Sequence, residues 1–336
     1  MAKMRAVQVS RPNGPFELVE REVREPGPGE IRVKVEACGI CHSDALTRSG
    51  AFPGLTLPRV PGHEIAGRVD AVGPNVTPWK AGQRVGIGWH GGHCFQCVPC
   101  RKGLFINCEK AKVTGISFDG GYAEYVVAPA EAAARIPDGL DSAETGPLLC
   151  AGVTTYNALR NSGARPGDTV AVQGIGGLGH LAIQYAARMG FRTIALSNGA
   201  EKQELARQLG AHAYVDTQEV NAAEGLQKLG GADLVLATAP NSAAIASTLG
   251  GLKPRGKLLI VAASFEPVQV SALSLLSGKT IAGWPSGSSI DSEETIAFSA
   301  LSNVRPRIEK FPLERAEEAF GKVMANKVRF RAVLVL

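Results

Sequence analysis

The sequence predicts an α/β protein with two domains, one an antiparallel β structure and the other a doubly wound parallel sheet. Short runs that alternate apolar and polar residues, such as Arg5–Val9, predict half-buried strands in the first domain. From Thr169 onward, apolar strands alternate with helical segments, which is typical of a parallel sheet. We expect residues 1–149 and 286–336 to form the first domain and residues 150–285 the second.

The length and composition are those of a globular protein. The chain has 336 residues, of which 45% are apolar and 20% are charged. Its net charge of +5 is spread along the sequence, so neither nucleic acid nor an anionic membrane is an expected partner. We find no apolar secretory segment and no apolar run of roughly 18 residues, the length of a membrane span. We therefore expect a cytoplasmic protein whose seven cysteines are reduced.

The elements of the first domain follow from alternation and turn residues. A Pro-Gly-Pro-Gly turn at 26–29 precedes a strand at 30–36, and a short helix is expected to begin near Ser43 or Asp44. Further strands are predicted at 63–72, 84–88 and 331–335, and residues 119–127 are predicted to form a turn that leads into another strand. Helices are predicted at 142–149, 292–301 and 313–325.

The second domain reads as a βαβ series. Its predicted strands cover 169–173, 192–196, 213–216, 233–238 and 257–262, and its helices 180–189, 201–209 and 243–249. The motif Gly174-x-Gly176-x-x-Gly179 directly follows the first of these strands and opens a helix. In that context the glycines let a dinucleotide pyrophosphate approach the helix N-terminus. The alternative is a glycine-rich turn without a ligand.

Four cysteines lie close together in the first domain. Cys94, Cys97, Cys100 and Cys108 fall within fifteen residues, a spacing that lets one loop wrap a tetrahedral zinc. Such a site is closed and structural. The alternative is two disulfides in a small lobe, which a cytosolic chain disfavours.

A second ligand set consists of residues that are far apart in the sequence. Two thiolates and one imidazole, from Cys41, Cys150 and His63, are the ligands of a catalytic zinc with an open fourth position, provided that the three segments meet.

The residue at the end of the second parallel strand bears on the choice of cofactor. A carboxylate there would hold the ribose hydroxyl of NAD, but the sequence has Ser197. A neutral hydroxyl does not repel a 2′-phosphate, and Lys202 or Arg192 would be its partner, so NADP(H) is favoured over NAD(H). The alternative is that Asn198 or Glu201 serves the ribose and that NAD is used.

The chain resembles the zinc-dependent medium-chain alcohol dehydrogenases over its whole length. The resemblance is carried by 38–44, by 62–64, by 148–154, by the cysteine quartet and by the glycine motif. The motif spacing is similar to that of bacterial and yeast-type enzymes, and Ser197 is similar to cinnamyl-alcohol-type reductases. The resemblance implies a GroES-like β catalytic domain, a Rossmann domain, and a homodimer or homotetramer.

It also implies roles for single residues. Cys41, His63 and Cys150 would hold the catalytic zinc, Glu64 would lie near it, and Asp44 would orient His63. Ser43 would take the proton of the alcohol. The cofactor would contact His42, Thr154, Gly174, Gly176, Gly177, Gly179, Ser197, Lys202 and Arg331.

One position departs from the family. Some members have a histidine three residues after the relay hydroxyl, where this chain has Leu46, so the proton would leave through the ribose hydroxyls and water or through another group. Phe52 and Trp89 are candidates for an apolar substrate pocket, whose width would depend on the loops 52–61 and 264–289.

The predicted activity is reversible hydride transfer between a primary or secondary alcohol and NAD(P), with one catalytic and one structural zinc per chain. The first alternative is a metal-free quinone or enoyl reductase of the same fold. The second is a cofactor-binding protein without turnover. The complete set Cys41, His63, Glu64 and Cys150 disfavours both.

Overall fold

A computed structural model describes residues 2–264 and 266–336. Met1, in the predicted first domain, and Phe265, in the predicted loop 264–289, lie outside the described residues. The chain divides into two compact units, Met1–Cys150 with Gly287–Leu336, and Ala151–Ser286. Among the described residues, no helix combines the length and the apolar character that crossing a membrane requires.

The strands are β1 (Lys3–Val9), β2 (Phe16–Glu22), β3 (Glu30–Gly39), β4 (Ile65–Val72), β5 (Arg84–Ile87), β6 (His90–Gly92), β7 (Lys112–Val113), β8 (Tyr125–Pro129), β9 (Ala133–Arg135), β10 (Thr169–Gln173), β11 (Arg192–Ser197), β12 (Ala213–Asp216), β13 (Ala232–Ala237), β14 (Leu252–Ile260), β15 (Thr280–Gly283), β16 (Ile308–Pro312) and β17 (Arg331–Val335). The α-helices are α1 (Asp44–Ser49), α2 (Val98–Arg101), α3 (Ser142–Thr145), α4 (Ala151–Arg160), α5 (Gly179–Arg188), α6 (Gln203–Gln208), α7 (Ala222–Lys228), α8 (Ser242–Ser247), α9 (Ser289–Ser302) and α10 (Ala316–Met324).

The first unit is built around β3. This strand pairs antiparallel with β4 on one edge and with β8 and then β17 on the other, and the sheet continues through β5 and β9 and through β16. Alternate side chains of β3, such as Ile31 and Val33, are fully buried, as the period of two predicts. Phe16 of β2 packs edge-to-face on Tyr122 and Phe320, with ring centroids 5.9 Å and 4.8 Å away.

The second unit is a six-stranded parallel sheet in the order β12-β11-β10-β13-β14-β15. The order reverses between β10 and β13, and open α/β sheets bind their ligands at such a reversal. The core side chains Val170, Ile194, Leu234 and Leu258 are at most 1% exposed, which explains the uninterrupted apolar runs of these strands. The predicted fold class is confirmed.

Several elements differ from those the sequence predicted. The helix predicted at 142–149 is wrong beyond Thr145, because Pro147 has no backbone donor and the chain continues as a 3₁₀ turn over Gly146–Leu149. Strands β2, β6, β7, β9, β15 and β16 were not predicted. Helix α7 was also missed, although Asn221 gives it a recognisable N-cap by accepting a hydrogen bond from Ala223 N.

Truncation of the β3 core tests this packing. Ile31→Ala is expected to lower the free energy of unfolding by about 2–5 kcal/mol, because it removes three buried carbon atoms and leaves a cavity. Denaturant unfolding measures the change. Leu301→Ala in the same unit, where the side chain is 86% exposed, is the control and should differ from wild type by less than about 0.5 kcal/mol. Equal effects of the two substitutions would contradict the assigned core.

Candidate metal and cofactor sites

Four side chains of the first unit converge on one buried point. Ligating atoms of Cys41, His63, Glu64 and Cys150 all lie within 4.8 Å of one another, and the two sulfurs are 3.8 Å apart. His63 is 2% exposed, and its Nε2 finds no hydrogen-bond partner among the described residues. A buried ring nitrogen requires a hydrogen-bond partner or a metal. Together with the two thiols beside it, this nitrogen forms a donor set that fits a zinc ion.

The backbone explains why these distant residues meet. Cys41 follows β3, and His63 and Glu64 precede β4, so the pairing of Cys38 with Ile65 brings the two loops together. Gly39 N donates to the carbonyl of Glu64 at 3.0 Å. Any Cβ at position 39 would overlap the Glu64 carboxylate, and this close approach requires glycine.

Asp44 supports two of the ligands from behind. Its Oδ2 accepts hydrogen bonds from Cys41 N at 2.8 Å and from the Tyr122 hydroxyl at 2.9 Å, and its Oδ1 is 3.3 Å from His63 Nδ1. Burial lowers the pKa of His63, but Asp44 and Cys41 outweigh that effect and raise it well above its usual value. Because Asp44 Oδ1 lies beside Nδ1, Nδ1 is the ring nitrogen that faces the carboxylate, and Nε2 is the one left for a metal. Sequence reasoning missed Tyr122, since its segment carried only a strand signal.

The two thiols are coupled. The hydrogen bond between them lowers the pKa of Cys41 well below its usual value and raises that of Cys150. This shift favours the thiolate form of Cys41, which is the form of cysteine that binds a metal.

Glu64 forms a buried ion pair with Arg331 of β17, at exposures of 0% and 3%. Burial raises the pKa of Glu64 and Arg331 opposes that rise. Glu64 Oε2 and Arg331 Nε have no hydrogen-bond partner among the described residues. The predicted contact of Arg331 with a cofactor stays a prediction, and its free Nε donor is compatible with it.

The other predicted residues of this site surround the cluster. The half-buried Ser43 lies at the N-cap of α1, with its Oγ 3.6 Å from Cys41 Sγ, whereas His42 is exposed. The Trp89 ring lies edge-on to His63 at 5.0 Å and to Phe52 at 6.3 Å. Two of the predicted pocket residues therefore form one aromatic wall beside a ligand.

The cysteine quartet is also assembled. The sulfurs of Cys94, Cys97, Cys100 and Cys108 lie within 4.8 Å of one another, and all seven cysteines of the chain are free thiols. Backbone hydrogen bonds from Gln96 and Cys97 lower the pKa of Cys94 to about 6. His93 packs between the rings of Phe95 and Phe105, each 4.2 Å away, and this stacking orders the loop.

In the second unit the glycine motif forms a tight turn from β10 into α5. A Cβ on Gly179 would overlap the carbonyl of Gly174, while Gly176 is exposed with nothing near its Cβ position. Thr238, at the end of β13, donates to the Gln173 carbonyl at 2.8 Å. The N-cap residue Leu178 makes no side-chain hydrogen bond to α5, and His180 N donates to the Gly176 carbonyl at 3.1 Å. Gly177 is half-buried in the same turn.

The proposed ribose position lies at the carboxyl end of β11. Lys202 Nζ is 3.4 Å from Ser197 Oγ, so the cation predicted to meet a 2′-phosphate lies beside the serine. The alternative partner Arg192 is wrong: it begins β11, at the opposite end of the strand, and donates to the Leu229 carbonyl.

Thr154 lies on α4 and donates to Ser286 Oγ at 3.1 Å. The sequence gave no signal for Ser286. Both residues belong to the second unit.

Comparison with known proteins agrees with this geometry. Residues 27–138 match the family described as "Alcohol dehydrogenase GroES-like domain", and residues 177–302 match "Zinc-binding dehydrogenase". The chain is 49% identical to alcohol dehydrogenase patD of Penicillium expansum, with 95% of this chain and 94% of that protein covered. It is 39% identical to an alcohol dehydrogenase of Geobacillus stearothermophilus, over 98% and 99% of the two chains.

A solved structure, the cinnamyl alcohol dehydrogenase SbCAD4 of Sorghum bicolor, superposes with a TM-score of 0.89 at 29% identity, covering 99% of this chain and 98% of that one. The two family matches, the near full-length relatives and the two clusters of metal-ligating residues all indicate the same family. The chain therefore belongs to the zinc-binding medium-chain alcohol dehydrogenase family.

Proposed function

We propose that the protein catalyses reversible hydride transfer between a primary or secondary alcohol and NADP⁺, with a catalytic zinc held by Cys41, His63 and Cys150. The observation that carries this proposal is the buried, unpartnered Nε2 of His63 beside two thiols. A metal-free quinone or enoyl reductase needs no such cluster, and neither does a cofactor-binding protein without turnover, so both alternatives leave it unexplained.

The zinc would act as a Lewis acid on the oxygen of the alcohol or carbonyl, and the nicotinamide would carry the hydride. The protein supplies orientation and a path for the proton. Ser43 Oγ lies 3.6 Å from Cys41 Sγ, and this hydroxyl would accept the alcohol proton. The apolar Leu46 cannot pass that proton on, so we propose an exit through the ribose hydroxyls and water.

The aromatic wall suggests the kind of substrate. Trp89 packs against His63 and Phe52 packs against Trp89, and these apolar rings favour alcohols and aldehydes with an apolar or aromatic group next to the reacting carbon.

The quartet of Cys94, Cys97, Cys100 and Cys108 would hold a second, structural zinc, because four sulfurs leave no open position for a substrate. Seven free thiols fit a reducing compartment, and we propose a cytoplasmic location.

We also propose a homodimer or homotetramer. Strand β15 ends the parallel sheet and, among the residues that the structure describes, pairs with β14 alone, so its other edge has no strand partner there. Leu273 and Leu276, just before this strand, are 75% and 79% exposed. Exposed leucines beside an open sheet edge are typical of a surface that a second copy covers.

Cys150→Ser tests the catalytic site. We expect zinc to fall from about two to about one per chain and turnover to be lost, because one thiolate ligand is replaced by a weakly binding hydroxyl. Metal analysis of the dialysed protein measures the change. Cys38→Ala is the matched control: Cys38 is fully buried but lies outside both clusters, and its variant should keep both zinc ions. Full zinc content and activity in Cys150→Ser would refute the ligand assignment.

Ser197→Asp tests the cofactor. A carboxylate at this position should raise the Kd of NADP⁺ by about 10-fold or more while leaving NAD⁺ binding equal or tighter, since it repels a 2′-phosphate and accepts a 2′-hydroxyl. Lys202→Gln should weaken NADP⁺ alone. Quenching of tryptophan fluorescence, titrated separately with NADP⁺ and NAD⁺, measures both effects. A wild-type protein with a strong preference for NAD⁺ would overturn the argument from Ser197.

The double variant Leu273→Glu, Leu276→Glu tests the assembly. Charges at these exposed positions should shift the protein to a monomer, as measured by light scattering. Leu301→Glu, at an equally exposed position of the other unit, should leave the mass unchanged. If the double variant keeps the wild-type mass, the β15 edge is not the interface.

A further inference from the structure

Tyr122 is one of the largest fully buried side chains of the first unit and lies between β7 and β8. A core tyrosine differs from a core phenylalanine only by a hydroxyl, and a buried hydroxyl destabilises the fold unless it has a partner. The partner of this hydroxyl is Asp44, which is itself only 1% exposed.

The bond from Tyr122 reaches the same oxygen that holds Cys41. Asp44 Oδ2 accepts from Tyr122 at 2.9 Å and from Cys41 N at 2.8 Å, while Oδ1 lies 3.3 Å from His63 Nδ1. Two donors on one oxygen fix the carboxylate plane and so fix the direction in which Oδ1 faces the imidazole.

The backbone of the same segment holds the chain just before His63. Tyr122 N donates to the Pro61 carbonyl at 3.1 Å, and Gly121 N donates to the Gly62 carbonyl at 2.9 Å. The tyrosine ring packs so closely on Gly62 that a Cβ there would overlap it. Tyr122 therefore contacts the His63 segment through its ring and backbone, and contacts Asp44 through its hydroxyl.

We infer that Tyr122 is a positioning residue for the metal ligands, acting through Asp44 on His63 and Cys41. The inference rests on the proposed zinc site. Its specific claim concerns the hydroxyl, since the ring alone suffices to fill the core. Outer groups that orient a ligand typically change metal affinity by about 10–100-fold when they are removed.

The test is the rate at which zinc leaves the folded protein. Tyr122→Phe keeps the ring and removes the hydroxyl, and we expect zinc release to a chromogenic chelator to accelerate by about 10–100-fold for one zinc per chain. The second, quartet-bound zinc should be released at the wild-type rate. Cys150→Ser, which should retain only the quartet zinc, identifies the two populations.

Tyr185→Phe is the matched control. Tyr185 is equally buried but belongs to the second unit, so its substitution should leave both zinc rates unchanged. With Co²⁺ in place of zinc, the visible bands of the three-ligand site should shift in Tyr122→Phe and not in Tyr185→Phe, a change that loss of core packing alone would not cause.

A double-mutant cycle with Asp44→Asn tests the route. If Tyr122 acts through Asp44, adding Tyr122→Phe to Asp44→Asn should accelerate release by less than about 3-fold. Full additivity of the two substitutions in their effect on the rate of zinc release would overturn the inference. A wild-type rate of zinc release in Tyr122→Phe would also overturn it, and so would an equal acceleration of release from both zinc sites. In each of these cases the loss of one zinc in Cys150→Ser would leave the proposed function standing. Retention of both zinc ions in Cys150→Ser would refute the proposed site itself.

Discussion

The structure of the first unit depends on burying several ionisable groups at one point without leaving their charges unpaired. Cys41, Asp44, His63, Glu64 and Arg331 are each at most 6% exposed. An isolated ion in such a place would destabilise the fold severely, so each group needs a partner of opposite charge or a hydrogen bond. Asp44 faces His63, and Arg331 faces Glu64. The register in which β3 pairs with β4 and with β17 brings these groups into contact.

Two adjacent residues of the cluster are held in place by different partners. His63 and Glu64 are neighbours in the chain, yet one is oriented from behind by Asp44 and the other is held by an arginine from the C-terminal strand. Two of the buried polar atoms without a hydrogen-bond partner among the described residues, His63 Nε2 and Glu64 Oε2, belong to residues of the ligand cluster. A divalent cation would satisfy both the imidazole nitrogen and the negative charge of the thiols.

Whether a feature could be predicted from the sequence depends on how far apart in the chain the interacting residues lie. The glycine motif was predictable because its turn and helix are local, and the cysteine quartet because its spacing alone permits one site. Cys150 was identified only through the family resemblance and the chemistry of a ligand set, and the structure places it beside Cys41. Tyr122 and Ser286 carried no local signal, since each matters through one contact with a residue far away in the chain. The proposal for Arg192 was wrong because this residue begins β11 and Ser197 ends it, so the two side chains lie at opposite ends of the strand.

The close approach of Gly39 to Glu64 has a consequence for the history of the gene. Every single-nucleotide change in a glycine codon that encodes a different amino acid adds a Cβ atom, and any Cβ at this position would overlap the Glu64 carboxylate. No one-step mutational path therefore leads away from this residue without displacing the buried ion pair. Position 39 should therefore tolerate substitution poorly, although glycine has the smallest side chain. Variants there should be rare even in a population where neighbouring surface positions vary widely.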